Sequence, residues 1–285
     1  MRQHRSHDEE RFLAHLAEIG LTNTVARPLV GGRSNRVWRF GTVVVKLYAR
    51  DTDNPLFAND PQRERAALQA LGGTGMVPHY LSDGAFEGQQ WLAYTHIPGE
   101  TWSQNAGHVA QLLGRLHDQP AIFGLPQGCN GSRALAEQTH HILGRCQGAE
   151  TLLAVEPRGE VAPYLSPTLI HGDPVPGNIV AHDGTLTLID WQCPQIGDPT
   201  EDLALFLSPA MQQVYRGAPL SAAEEAAFLD RYPDPQLVAR YLALRPWYHW
   251  RMAAYCLWRD QRDGRTPSRA FDLELAALRA CPESG

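Results

Sequence analysis

The chain has 285 residues, 43% hydrophobic and 20% charged, with a net charge of −6; this length suits a two-lobed enzyme or two ordinary domains, and the acidic balance gives no electrostatic reason to expect a nucleic-acid partner. No stretch approaches the roughly 20 apolar residues of a membrane helix, and the opening MRQHRSHDEERF lacks the apolar core of a secretory signal. Five cysteines without a C-x-x-C pair fit neither a disulfide framework nor a thiolate zinc site, so a cytoplasmic protein is expected, with no membrane and no protein partner implied.

Residues 8–19 carry helical apolar spacing through Phe12, Leu13, Leu16 and Ile19, closed by Gly20, with Ser6 and Glu9 as a capping box. Val25–Val30 and Arg36–Phe40 read as strands around a glycine pair. Thr42–Tyr48 alternates so that Val44, Lys46 and Tyr48 share one face of a third strand. After a Pro/Asn/Asp-rich loop, 62–71 places Glu64, Ala67, Leu68 and Leu71 on one helical stripe ended by Gly72 and Gly73. Strand-like runs follow at Val77–Leu81 and Gln90–Tyr94. Beyond Thr95–Gly99 the apolar periods become helical, beginning with His108–His117, and the lobe boundary is expected at 97/98. The second lobe reads as mostly helical, with helices near 132–146, 222–231, 235–245 and 247–260 and one β-hairpin near 178–190.

Lys46 is the sole lysine, although basic residues are otherwise plentiful as arginine. A retained lysine suggests a point-charge role that a planar guanidinium does not fill.

The most specific stretch is His171-Gly172-Asp173-Pro174-Val175-Pro176-Gly177-Asn178, with the H-x-D-x-x-x-x-N spacing of a kinase catalytic loop, followed by Ile189-Asp190-Trp191. A carboxylate such as Asp173 can orient an acceptor hydroxyl and take its proton, while Asn178 and Asp190 offer hard oxygens to magnesium. Asp183-Gly184 is a two-residue hairpin signal, so Asn178 and Asp190 should meet at the open end of one hairpin as a metal site. Asp and Asn also build polar turns without chemistry; the whole set together favours the catalytic reading.

These residues resemble the aminoglycoside phosphotransferase and choline kinase superfamily, which carries H-G-D-x-x-x-x-N and then a D-[FW] pair. The resemblance covers roughly residues 25 to 260 and includes Gly31-Gly32-Arg33-Ser34-Asn35, Lys46, Glu64, Pro98-Gly99, Leu116-His117, Gly197-Asp198-Pro199 and Asp202. It implies an α+β, protein-kinase-like two-lobed fold. Residues 1–97 would form a nucleotide-binding lobe of antiparallel sheet and helix with the hinge, and 98–285 a mainly helical catalytic and substrate lobe. ATP and Mg²⁺ are the implied cofactors. Lys46 would hold the α/β-phosphates and Glu64 would hold Lys46, as the strand and helix placement allows. Gly31 and Gly32 would let backbone approach phosphate, with donors from Ser34 and Asn35, although a glycine pair between strands is commonly only a turn. Hinge backbone at Thr95, His96 and Ile97 would meet adenine, and Asp202 would brace the catalytic loop.

Gly72-Gly73-Thr74-Gly75 lacks a G-K-[ST] ending and reads as a helix stop, and His117, His140 and His141 lack zinc-ligand spacing. Only a short run separates Asp190 from Gly197–Asp202 and no A-P-E follows, which leaves a peptide little to dock on and favours a small hydroxyl compound as acceptor. Trp247, Tyr248, Trp250, Tyr255 and Trp258 could cage a cation as in choline and thiamine kinases or form a buried helical stripe. Residues 201–285 carry 11 acids against 10 arginines, which does not specially indicate a polycationic antibiotic. A kinase for a choline-, ethanolamine- or thiamine-like amino alcohol is expected, with an aminoglycoside phosphotransferase or a nucleotide-binding pseudokinase as alternatives. Pro174, Pro176 and Gln192 depart from the usual pattern of the superfamily.

Overall fold

The structure, a computed structural model, describes residues 7–22, 24–29, 35–50 and 53–282. Ser6, Val30, Gly31, Gly32 and Ser34 lie outside the described residues, so the capping box and the glycine-turn phosphate contacts are not visible.

Helix α1 (His7–Glu18) buries Phe12 and Leu16. It is followed by β1 (Arg27–Pro28), β2 (Arg36–Phe40), β3 (Val43–Leu47), helix α2 (Pro61–Leu71), β4 (Tyr80–Phe86) and β5 (Gln89–Thr95). The strands form one antiparallel sheet in the order β1-β2-β3-β5-β4. Period-two alternation divides β3 between two cores. Val45 and Leu47 join Phe12, Leu16, Trp38 and Trp91 under α1, whereas Val44 and Tyr48 pack with Ala67, Leu68 and Leu71 of α2. Lys46 therefore sits on the α2 side, opposite Val37 and Leu92 in the ladder, and a one-residue slip would turn it to α1. Asp60 starts α2 by accepting from the Gln62 and Arg63 amides, with Pro61 at the first position.

Two strands differ from the sequence expectation. Of the run Val77–Leu81 only Tyr80 and Leu81 fall in a strand: β4 begins at Tyr80, because Pro78 cannot donate to a ladder, and Met76 and Val77 instead enter the core. Of the described residues 25–29, Arg27 and Pro28 pair with β2, and the Leu29 amide donates to the Val37 carbonyl at 2.9 Å.

The second lobe contains β6 (Glu100–Thr101), α3 (Ala106–His117), α4 (Gly131–Leu143), α5 (Glu150–Leu153), β7 (Thr168–Ile170), a 3₁₀ turn at Pro176–Asn178, β8 (Ile179–His182), β9 (Thr185–Leu188) and β10 (Gln195–Gly197). Helices α6 (Thr200–Leu207), α7 (Pro209–Arg216), α8 (Ala222–Arg231), α9 (Pro235–Arg262) and α10 (Arg269–Ala280) complete it. The expected hairpin is present as β8–β9, with β6 added as a third strand. Asp183 and Gly184, at φ 46° and 78°, make the left-handed turn that suits the twist of a two-residue hairpin.

The sequence spacing predicts two helices meeting at Pro246; instead α9 runs unbroken for 28 residues through it. An interior proline costs about 3 kcal/mol, and burial on both sides outweighs that cost. Leu244, Trp247 and Tyr248 belong to the core around α3 and α6, and Trp250 to Trp258 belong to the core shared with α4, α7 and α10. Among the described residues no helix is long and apolar enough to cross a membrane.

One buried ion pair ties α9 to α6. Arg251 gives Nη1 and Nη2 to the two oxygens of Glu201 at 3.0 and 2.7 Å, with side chains 2% and 10% exposed. Burial pushes the Glu201 carboxyl up and Arg251 opposes it. Arg251→Ala strands that carboxylate and is expected to lower unfolding free energy by about 3–5 kcal/mol in urea titration, with Arg251→Met/Glu201→Leu recovering most of the loss. A loss under about 1 kcal/mol in the single variant would show the pair to be incidental.

Candidate active site

The catalytic loop leaves β7 at His171, which is fully buried. Its Nε2 meets the Ile189 carbonyl at 3.1 Å and its Nδ1 the Asp173 amide at 3.2 Å, so Nε2 carries the proton and Nδ1 accepts. Burial lowers the His171 pKa and keeps the ring neutral, and the ring lies 4.4 Å from that of Trp191. Gly172 has φ 78°, and a Cβ there would fall 2.3 Å from the Cys193 carbonyl oxygen. Only glycine fits this position.

Asp202, on α6, is fully buried. It accepts from the His171 amide at 2.8 Å and the Gly172 amide at 2.9 Å. His117 Nε2 lies 3.1 Å from the same carboxylate, and His117 Nδ1 lies 2.7 Å from the Tyr232 hydroxyl. Asp202 thus fixes the backbone on the N-terminal side of Asp173.

Asn178 fixes the other side. Its Nδ2 donates to the Asp173 carbonyl at 2.9 Å and to Asp173 Oδ2 at 3.1 Å, which leaves Oδ1 as a free oxygen ligand. In the hairpin Ile179 faces Leu188 and the Ile189 amide donates to the Asn178 carbonyl at 2.9 Å, so Asp190 follows directly at the open end. Asp190 holds φ 65°, an uncommon conformation for a side-chain-bearing residue. Burial, and then Asp190, push the Asp173 carboxyl up, against the Asn178 hydrogen bond.

Lys46 closes the site from above. Its Nζ donates to Glu64 Oε2 at 2.6 Å and to Asp190 Oδ1, and the Tyr48 hydroxyl donates to the same Glu64 oxygen. Burial opposes the ammonium charge, but Asp190 and then Glu64 outweigh it and raise the Lys46 pKa.

A cleft of about 940 Å³ joins these groups. Leu29, Val37, Val44, Tyr94, Ile97, Val180 and Ile189 line one part, and Asp173, Asn178 and Asp190 its centre. The hinge residues differ in what they leave free. The Thr95 amide donates to His79 and the His96 amide to Thr42, while the Ile97 amide has no backbone acceptor among the described residues. Asn35 also lines the cleft, with its amide engaged. Nδ2 donates to Asn59 Oδ1 at 2.7 Å and Gln192 Oε1 at 2.9 Å, and Oδ1 accepts from the Ala49 amide at 3.0 Å. The sequence reading missed this Asn35–Asn59–Gln192 strut and the Tyr48 hydroxyl. For Tyr48 a signal existed, since it shares the Lys46 face.

Glu64 and Asp190 contact the one ammonium and Asp173 lines the same cleft, so the site carries excess negative charge that a cation would offset. Among the described residues no three His, Cys, Asp or Glu side chains form a cage. That combination suits Mg²⁺, which takes one or two protein carboxylates and fills its shell with phosphate oxygens and water.

An antiparallel sheet with a helix packed on each face, set over a helical lobe whose hairpin carries Asn178 and Asp190, defines the protein-kinase-like two-lobed class. The chain belongs to the phosphotransferase enzyme family, whose pattern it matches over residues 25–247. No curated protein matches it in sequence. The fold is similar to that of a choline/ethanolamine kinase family protein from Mesorhizobium loti, at 18% identity and TM-score 0.61 over 95% of this chain and 98% of the other. It is also similar to the choline kinase LicA from Streptococcus pneumoniae, at 16% identity and TM-score 0.61 over 96% and 100%. A complex of APH(2")-IIia with GDP and kanamycin gives 15% identity and TM-score 0.61 over 95% and 97%.

Asp202→Ala removes the acceptor of two buried amides, each worth about 1–3 kcal/mol when left unpaired. A loss of at least about 2 kcal/mol in chemical denaturation is expected, and a neutral result would remove Asp202 as the brace of the loop.

Proposed function

We propose that the protein is an ATP-dependent small-molecule kinase that transfers the γ-phosphoryl group to a substrate hydroxyl. The observation that carries this reading is the convergence of Asp173, Asn178, Asp190 and Lys46 on one cleft.

In this reading the base lies in the apolar slot of Leu29, Val37, Val44 and Ile189, with the Ile97 amide as hinge donor. Lys46, held by Glu64, draws the α/β-phosphates toward Asp190. Bound Mg²⁺, held by Asn178 Oδ1 and Asp190, would neutralise charge on the phosphates. Asp173 orients the acceptor hydroxyl; as its oxygen bonds to the γ-phosphorus and the bond to the bridging oxygen of ADP breaks, Asp173 takes the proton. Its raised pKa makes it a stronger acceptor of that proton than an ordinary carboxylate. The lobes would close about the expected 97/98 boundary.

A small acceptor is favoured by the short path from Asp190 through β10 to α6, which leaves no peptide platform. An amino alcohol is supported by the likeness to choline kinase folds. The tryptophans of the aromatic run add nothing to it, because Trp247, Trp250 and Trp258 are buried at 3%, 0% and 5% exposure and form core, whereas Tyr255 of the same run lines the cleft.

Asp173→Ala is expected to cut ADP release with Mg²⁺-ATP and a productive acceptor about 10²- to 10⁴-fold, with nucleotide affinity kept within the same order of magnitude; comparable turnover would refute the role of Asp173. Lys46→Met should weaken nucleotide binding and also lower stability by about 3–5 kcal/mol, because Glu64 is left buried without its cation. A variant with native ATP affinity would remove Lys46 from the phosphate site.

A further inference from the structure

We propose that the end of the cleft beyond Asp173 is an anion-binding subsite, and that the phosphorylated alcohol carries a carboxylate or phosphate group. This rests on reading the cleft as a kinase site. Next to Asp173 and Asn178, Gly177 lies against the Tyr215 ring, and Tyr215, Tyr255, Asn54 and Phe57 line the cleft together with Arg259, Arg262 and Arg265.

Among the described residues that line this end, three are arginines and one is an acid, Asp263, which reaches only Arg265, at 3.8 Å. Arg259, half-buried, and Arg262 make no ion pair among the described residues. Arg145, which shares the Trp258 ring with Arg262, is matched by Asp53.

Helix chemistry explains part of the cluster, since cations in a last turn complement the helix dipole. It does not explain Arg265, which lies beyond the helix end at Asp263 and, though 70% exposed, still lines the cleft.

The wall is also held in place. Tyr255 receives a hydrogen bond from Asn54 Nδ2 at 3.2 Å and an edge-to-face contact from Phe57 at 5.1 Å. Tyr255, Arg259 and Arg262 follow at i, i+4 and i+7, on one stripe of α9. The Arg262 guanidinium rests over the Trp258 ring at 5.4 Å, as Arg145 does at 5.3 Å. A stacked guanidinium keeps its donor fork free, and that fork matches the paired oxygens of carboxylate and phosphate. A simple quaternary ammonium would meet repulsion here; a zwitterion would still satisfy the subsite through its acid.

The test uses matched alcohols: glycerol, glycerate and glycerol 3-phosphate; glucose, gluconate and glucose 6-phosphate; ethanolamine, serine and choline. Each is assayed for ADP release with Mg²⁺-ATP and titrated calorimetrically into the full chain, with and without Mg²⁺-AMPPNP. An acid or phosphate ester is expected to exceed its neutral or cationic counterpart at least about tenfold in kcat/KM or affinity, and the better arm tells carboxylate from phosphate. Arg259→Ala and Arg262→Ala should each raise KM or Kd for that compound more than they change kcat, with Arg259→Lys milder than Arg259→Ala and the KM for ATP unmoved. Preference for choline or the neutral alcohols, anion binding equal in wild type and variants, or no anion binding by the wild type would overturn the subsite. ADP release by none of the compounds would count against the kinase reading instead, and the titration would still decide the subsite.

Discussion

The structure depends on one buried ammonium. Lys46 is 2% exposed and touches acids from two lobes, Glu64 on α2 and Asp190 after β9. Removing such a charge from water is costly unless it is paired and hydrogen-bonded. The sheet, α2 and the hairpin must therefore be in register together for the pairing to exist. Arginine could not occupy the same place, since its wide planar fork does not fit one point between two carboxylates, and this accounts physically for the retention of a single lysine.

The lower half of the site is held by backbone rather than by side-chain bulk. Gly172 and Asp190 both adopt positive φ, and the intervening chain is clamped by Asp202 from α6 and by Asn178 from the 3₁₀ turn. Glycine adopts such a backbone freely, but at Asp190 it is strained, and that strain persists only where the surroundings over-determine it. Here those surroundings include α9, which runs from the core behind the catalytic loop to the arginines at the far end of the cleft. One continuous helix thus supplies both the packing behind the site and the charge in front of it.

Much of the site was legible because its chemistry depends on local spacing. The loop from His171 to Asn178 and the Asp183-Gly184 turn are short-range signals, and strand alternation put Lys46 on the helix side. What escaped was set by tertiary context. Pro246 argues for a break unless the burial of Trp247 and Tyr248 is known. Helix α6, with all eight residues buried, has no polar face to give a helical period. The aromatic run and the arginines share α9, and only three dimensions turn Trp250 into core and Arg259 into cleft wall. The sequence offers Asn35 as a phosphate donor, and no short-range pattern indicates that Asn59 and Gln192 engage it.

If Lys46, Asn178 and Asp190 form a nucleotide site completed by a cation, affinity for an ATP analogue must depend on magnesium whatever the acceptor is. Calorimetric titration of AMPPNP into the protein with Mg²⁺ and with excess chelator measures this directly. The account predicts binding at least about tenfold tighter with Mg²⁺, equivalent to about 1.4 kcal/mol. Equal affinity under both conditions, or no binding under either, would contradict it.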